Sequence, residues 1–171
     1  LFPWSVEPIT WWSPDPRAIF ELGPDGIHVS RSLARTLRKL PWRIAWNTAF
    51  RRVMMACAEA HRHQGEWISP RFIDAYTALH EAGYAHSIEC WDGNELVGGL
   101  YGVAVGGLFA GESMFHRASD ASKVAVWHTA QRLRERGFAL FDTQMITETT
   151  RALGAIEIGR TEYLARLRDA V

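Results

Sequence analysis

The stretch ELVGGLYGVAVGGLFAGESMF, Glu95 to Phe115, decides how the rest of the chain is read. Apolar side chains run through Leu96–Val105 and again through Leu108–Phe115, with Gly106-Gly107 between them. Two such runs joined by a glycine pair predict a β-hairpin. Just upstream, His86-Ser87-Ile88-Glu89-Cys90-Trp91 alternates as a strand does, and Asp92-Gly93-Asn94 supplies another hairpin turn. The three strands form an antiparallel meander. Gly98, Gly99, Gly102 and Gly111 lie inside it and predict a bulge or a close backbone approach. Near the end of the third strand, Glu112 stands among aromatic and sulfur side chains. A charge in an apolar frame is costly unless it has a partner or a task. Phe109 to Phe115 is therefore read as one wall of a binding pocket.

Downstream, Asp120–Arg136 reads as a helix closed by Gly137. A short buried strand over Ala139–Thr143 ends in the polar run Asp142-Thr143-Gln144. A helix over Thr149–Leu153, a strand over Ala155–Ile158 and a helix over Thr161–Arg168 complete the chain. Upstream, Arg17–Glu21 and Ile27–Val29 are expected as short strands flanking the turn Gly23-Pro24-Asp25-Gly26. Ser30 caps a helix over Arg31–Leu40, which Pro41 ends. Trp42–Trp46 is a strand, Thr48 caps a helix running through Cys57, and Ser69-Pro70 starts a helix over Arg71–Glu81. The prolines of Leu1–Asp15 forbid a continuous helix or a central strand. Trp11 and Trp12 are expected as a lid over the core, and Trp4 either there or at a ligand. The element order resembles that of the GNAT-like acyltransferase fold, which implies an α/β chain with a mixed, mostly antiparallel sheet and flanking helices, preceded by a short N-terminal segment. Two regions are expected, 1–60 as a Trp/Pro-rich and basic part and 61–171 as the GNAT-like domain.

At 171 residues the chain suits one domain or one domain with an appendage. No apolar run is long enough to span a bilayer. The chain begins at Leu1, so further sequence is expected ahead of it. Cys57 and Cys90 stand far apart in no metal-like spacing and predict buried thiols in a reducing compartment. His61 and His63 lack companions that would complete a metal site. The formal net charge of zero conceals an asymmetry: Gly26 to Ala58 holds no acid but carries Arg31, Arg35, Arg38, Lys39, Arg43, Arg51 and Arg52. Arg31, Arg35, Arg38 and Lys39 form a stripe on the predicted helix, opposite Leu33, Leu37 and Leu40. That stripe fits phosphate contacts that fix position without reading sequence.

Motifs in order extend this reading. They include Phe2-Pro3-Trp4, Trp11-Trp12-Ser13-Pro14-Asp15-Pro16-Arg17, His28-Val29-Ser30-Arg31-Ser32, Trp67-Ile68, Gly83-Tyr84-Ala85-His86-Ser87-Ile88-Glu89, Gly111-Glu112-Ser113-Met114-Phe115, Ala121-Ser122-Lys123 and Phe141-Asp142-Thr143-Gln144. With these, nearly the whole chain resembles the leucyl/phenylalanyl-tRNA–protein transferase family. The resemblance implies transfer of Leu, Phe or Met from aminoacyl-tRNA to a protein N-terminus bearing Arg or Lys, marking the acceptor for N-end rule degradation. It implies a cytoplasmic monomer without cofactor or metal. By resemblance Gln144 contacts the reacting amine, and Asp142 orients it or accepts a proton through it. Glu112 sits near the 3′ adenosine and the aminoacyl end, Trp4 and Trp67 stack on that adenosine, and Phe109 and Met114 border the amino-acid side chain. Arg31, Arg35 and Arg38 resemble the tRNA-backbone cluster. The chain has Thr143, His116 and Gly159 where the family commonly has Cys, Ser and Pro.

The residues are compatible with that chemistry. An aminoacyl ester is already activated, so the enzyme must orient an amine and manage one proton. Other roles remain open from the residues alone: Asp142 as the cap of the following helix, and Glu112 as half of a salt bridge. Leu100, Tyr76 and Phe141 are further apolar candidates for the pocket. Rival functions are a related enzyme with other donor or acceptor choice, and a non-catalytic RNA- or peptide-binding module. His116–Lys123 lacks a phosphate-binding glycine pattern, which argues against coenzyme A.

Overall fold

A computed structural model describes residues 2–6, 9–62 and 67–171, the side chains of 2–6 and 9 excepted. In chain order the elements are β1 (Phe2–Val6), β2 (Ile9–Trp12), β3 (Arg17–Phe20), α1 (Arg31–Lys39), β4 (Arg43–Trp46), α2 (Phe50–His61), α3 (Pro70–Glu81), β5 (Ala85–Asp92), β6 (Glu95–Val105), β7 (Leu108–His116), α4 (Ala121–Glu135), β8 (Leu140–Gln144), α5 (Glu148–Ala152), β9 (Ile156–Ile158) and α6 (Arg160–Ala170). The predicted meander is β5-β6-β7. It extends into a seven-stranded sheet of order β4-β5-β6-β7-β8-β3-β9, while β1 and β2 pair only with each other. All neighbours in the large sheet are antiparallel except β7 and β8. A parallel pair needs a long crossover, and α4 provides it. Strands β3 and β4, from the first sixty residues, hydrogen-bond into the same sheet as the later ones.

Helices cover both faces. On one, α1 and α4 pack Leu33, Val124, Ala125, Val126 and Leu133 against Phe20, Leu100, Phe109 and Phe141. On the other, α2 and α3 pack Phe50, Val53, Met54, Cys57 and Ile73 against Tyr101, Leu96 and Phe115. The meander glycines serve this packing. A Cβ at Gly98 would stand 2.5 Å from the Cβ of Ala121, so Gly98 lets α4 seat on the strand. Cys57 and Cys90 are buried free thiols, each pushed up to about 12 chiefly by burial. Among the described residues, no helix is long and apolar enough to cross a membrane.

Helix starts behave as expected where a hydroxyl is free to cap. Ser30 accepts from the Leu33 amide and Ser69 from the Phe72 amide, each at 3.2 Å. Thr48 departs from its expected role: α2 is capped at Ala49, and the Thr48 hydroxyl donates to the buried Glu89 at 2.7 Å. A buried carboxylate competes better for that donor than an exposed helix end. Ile27–Val29 is not a strand. His28 bonds through its amide to Leu153 O, at 2.9 Å, and through its ring to Ala152 O, tying the segment to the end of α5 instead of to a neighbouring strand. Trp11 and Trp12 are not a lid, being 58% and 52% exposed, because the β1–β2 ribbon lies outside the large sheet. Leu40 leaves the apolar side of α1: it is the exposed, left-handed C-cap, with φ 34°.

Candidate active site

Strands β7 and β8 stay paired for only three residues, Leu108–Ala110 against Leu140–Asp142. Beyond that they diverge, and the sheet splits between Gly111–His116 on one side and Thr143-Gln144 on the other. Two bulges flank the split. Ala18 faces Gln144 and Ile19 faces Asp142, so Thr143 is the extra residue on β8. Tyr101 faces Ser113 and Gly102 faces Gly111, so Glu112 is the extra residue on β7. A bulge bends its strand and re-aims a side chain. The meander has one bulge at Val97, beside Gly98, and one beside Gly111 that falls on the carboxylate.

On the β8 wall Asp142 is 1% exposed and saturated with donors. Its Oδ1 accepts from Arg17 Nε at 2.9 Å and from the Gln144 amide at 2.8 Å. Its Oδ2 accepts from Arg17 Nη2 at 2.5 Å and from the Tyr163 hydroxyl at 2.8 Å. Arg17 is as buried, at 2%, and lies over the Tyr163 ring. Burial opposes the charge of Arg17, but Asp142 more than offsets it and the guanidinium is held firmly protonated. Burial and then Asp142 raise the Tyr163 phenol, so it remains a donor. Asp142 does not cap the next helix; Thr147 caps α5. Gln144, also buried, takes a left-handed backbone with φ 59°, and its side-chain Nε2 has no hydrogen-bond partner among the described residues. Left-handed backbone is strained for a residue with a Cβ, and such strain clusters at functional positions. A buried amide nitrogen without an acceptor is a donor held ready for a ligand.

On the β7 wall Glu112 is partly exposed. Burial, and secondarily the charge of Asp142 across the split, push its carboxyl up to about 7. The Tyr76 hydroxyl, a hydrogen-bond partner from α3, pulls the other way. Among the described residues Glu112 has no ion-pair partner. The hydroxyl of fully buried Tyr101 has no hydrogen-bond partner among the described residues.

The remaining predicted residues lie as follows. Phe109 is buried in the core, edge-on to Phe141 at 5.5 Å, with Leu100 in the same cluster. Met114 is partly buried against that cluster, and its carbonyl meets the His61 ring at 2.9 Å. Trp67 is partly buried, edge-on to Phe72. Trp4 falls in β1, and its side chain lies outside the described residues, as does His63. Arg31, Arg35 and Arg38 are exposed on α1. Asp120 ties that helix to α4 by accepting from Thr36, Ser32 and Lys123. Sequence reasoning missed Arg17 and Tyr163 as the partners of Asp142. The one local sign of Arg17's role is that it is the charged member of an otherwise apolar strand, Arg17-Ala18-Ile19-Phe20.

The sequence model of a family described as leucyl/phenylalanyl-tRNA protein transferase matches residues 21–168. A leucyl/phenylalanyl-tRNA–protein transferase of Shewanella baltica is 49% identical over 172 residues, covering 99% of this chain and 72% of the relative. Its counterpart from an Enterobacter species is 53% identical over 169 residues, covering 98% and 71%. That of Alkalilimnicola ehrlichii is 50% identical over 175 residues, covering 100% and 67%. Among solved structures, a C-terminal domain (DUF2156) from Agrobacterium fabrum matches with a TM-score of 0.52 at 13% identity, over 80% of this chain and 48% of that one. This last likeness concerns the fold alone.

Proposed function

Because the chain belongs to the leucyl/phenylalanyl-tRNA–protein transferase family, we propose that it moves Leu, Phe or Met from aminoacyl-tRNA to the N-terminal Arg or Lys of an acceptor protein, marking it for N-end rule degradation. The observation that supports the reading beyond family membership is the end of β7–β8 pairing at Ala110 and Asp142, beyond which Glu112 lies on one strand and Gln144, its amide nitrogen unpaired among the described residues, on the other. Gln144 binds the incoming amine or the ester carbonyl, and Asp142 orients it. The support is the bond from the Gln144 amide to an Asp142 carboxylate that Arg17 and Tyr163 hold still. Glu112 lies toward the 3′ adenosine, with Trp4 and Trp67 stacking on that base. Phe109 and Met114 form the apolar wall for the donor side chain, supported by their shared packing.

Residues 1–60 supply the RNA-facing side and 61–171 the catalytic part. On α1, the exposed guanidinium groups of Arg31, Arg35 and Arg38 support phosphate contact that is salt-sensitive and largely blind to sequence. We assign the sheet to the GNAT-like acyltransferase type, a reading supported by the splay of its one parallel pair. The protein acts as a cytoplasmic monomer in this reading.

The test is transfer of labelled Leu, Phe and Met from charged tRNA to peptides beginning with Arg, Lys, Asp or Glu. Transfer to the basic starts is expected. Transfer to acidic starts alone would replace the acceptor assignment, and binding of charged tRNA without transfer would favour a non-catalytic module.

A further inference from the structure

Aminoacyl transfer moves one proton. The amine nitrogen attacks the ester carbonyl and the C–N bond forms. The bond from that carbon to the ribose 3′ oxygen then breaks, and a proton lost by the amine ends on that oxygen. The group that carries it needs a lone pair not already engaged. Asp142 does not meet this condition, since both its oxygens accept from Arg17 and each accepts a further donor. Gln144 has no basic group.

We propose that Glu112 is the proton carrier of the transfer: its carboxylate takes the proton from the attacking amine and returns it to the 3′ oxygen of the leaving adenosine. The assignment rests on the transferase reading above. Its footing is geometric. Glu112 is the bulged residue of β7, placed at the mouth of the split where that strand has lost β8. It is partly exposed while Asp142 is sealed. The titratable and charged groups facing it among the described residues are Tyr76 from α3, Tyr101 from β6, Asp142 from β8 and Arg17 from β3, whose guanidinium is committed to Asp142. Burial and the facing Asp142 push Glu112 up to about 7, which suits a group that must both take and give a proton at neutrality.

The experiment is single-turnover transfer of labelled Phe from charged tRNA to an Arg-initiated peptide, on both sides of neutrality, with wild type, Glu112→Gln and Glu112→Asp. Charged-tRNA affinity is measured alongside. The expected wild-type rate falls on the acid side of neutrality. Glu112→Gln is expected to bind charged tRNA normally, to lose that limb and to transfer at least ~10²-fold more slowly. Glu112→Asp keeps a titrating limb and recovers part of the rate. The acceptor amine also ionises; an acceptor with a different amine pKa moves its own limb and leaves that of Glu112 in place. An active wild type with an unchanged pH profile in Glu112→Gln overturns the proposal alone. A wild type that transfers nothing overturns the transferase reading, and the proposal with it.

Discussion

Two carboxylates face each other across the split in the sheet, and they are held in opposite ways. On β8, Asp142 has a guanidinium, a phenol and a backbone amide on its two oxygens. On β7, Glu112 has one tyrosine hydroxyl and no ion pair among the described residues. Glu89, buried on β5, resembles Asp142 in being satisfied, by Thr48 and Ser87. Satisfied carboxylates fix structure; the one left short of partners keeps a free lone pair for chemistry. Burial separates Glu112 from the other two, and the hydrogen-bond donors around each carboxylate separate them further.

The sharpest way to break the contrast is to remove Asp142. Asp142→Ala leaves Arg17 charged and buried without its counter-ion. A loss of about 3–5 kcal/mol in denaturant unfolding is expected, with transfer abolished. A variant that folds as wild type would mean that Arg17 is not tied to Asp142 in solution. Gln144 comes next, because it shares the wall but not the structural burden. Gln144→Gly relieves a left-handed backbone, so its melting temperature should equal or exceed wild type. Transfer should still fall by about 10²-fold for loss of the aimed amide. A loss of stability with transfer intact would reverse the roles assigned to the two residues.

The third test uses pH and stability only. Glu112 is raised from 4.5 to about 7 in the folded chain. Between those values the folded chain binds the extra proton, so stability falls as pH rises through the window. Glu112→Gln removes this slope. It should be more stable than wild type above neutrality by on the order of 2 kcal/mol, and no different at acid pH below the window. Parallel stability curves for the two proteins would show that the environment of Glu112 does not disfavour its charge.

Much of this is legible in the sequence. The meander, its hairpin glycines and the helices capped by Ser30 and Ser69 follow from local chemistry, and so does a bulge somewhere among the meander glycines. The site is less legible because its contacts are long-range. Arg17 and Asp142 stand 125 positions apart, and nothing local in either segment announces the other. Their meeting depends on β3 inserting between β8 and β9, a crossover that strand periodicity does not encode. Thr48 shows the same limit in reverse: a good local cap is drawn away by Glu89, which is distant in sequence. The Ile27–Val29 segment has strand-like residues but meets the end of α5 where a strand partner was expected.

The smallest expected effect concerns charges with no structural work at all. Arg31, Arg35 and Arg38 repeat at four- and three-residue spacing on α1, exposed, with no ion pair among the described residues. Like charges at that spacing repel by a few tenths of a kcal/mol. Replacing any one with Gln should therefore leave stability within about 0.5 kcal/mol, or raise it slightly. Arg17, equally cationic but buried and paired, is the opposite case, and Arg17→Gln should cost several kcal/mol. The return for tolerating the repulsion should appear in RNA binding. Each α1 replacement is expected to weaken tRNA affinity by about 1 kcal/mol or less and to reduce the salt slope of log Kd by roughly one. The slope discriminates better than the affinity. A structural perturbation weakens binding at every salt concentration alike, whereas a lost phosphate contact changes how steeply binding depends on salt. An unchanged slope in all three variants would move the RNA off α1, while the contrast between the two carboxylates would still stand.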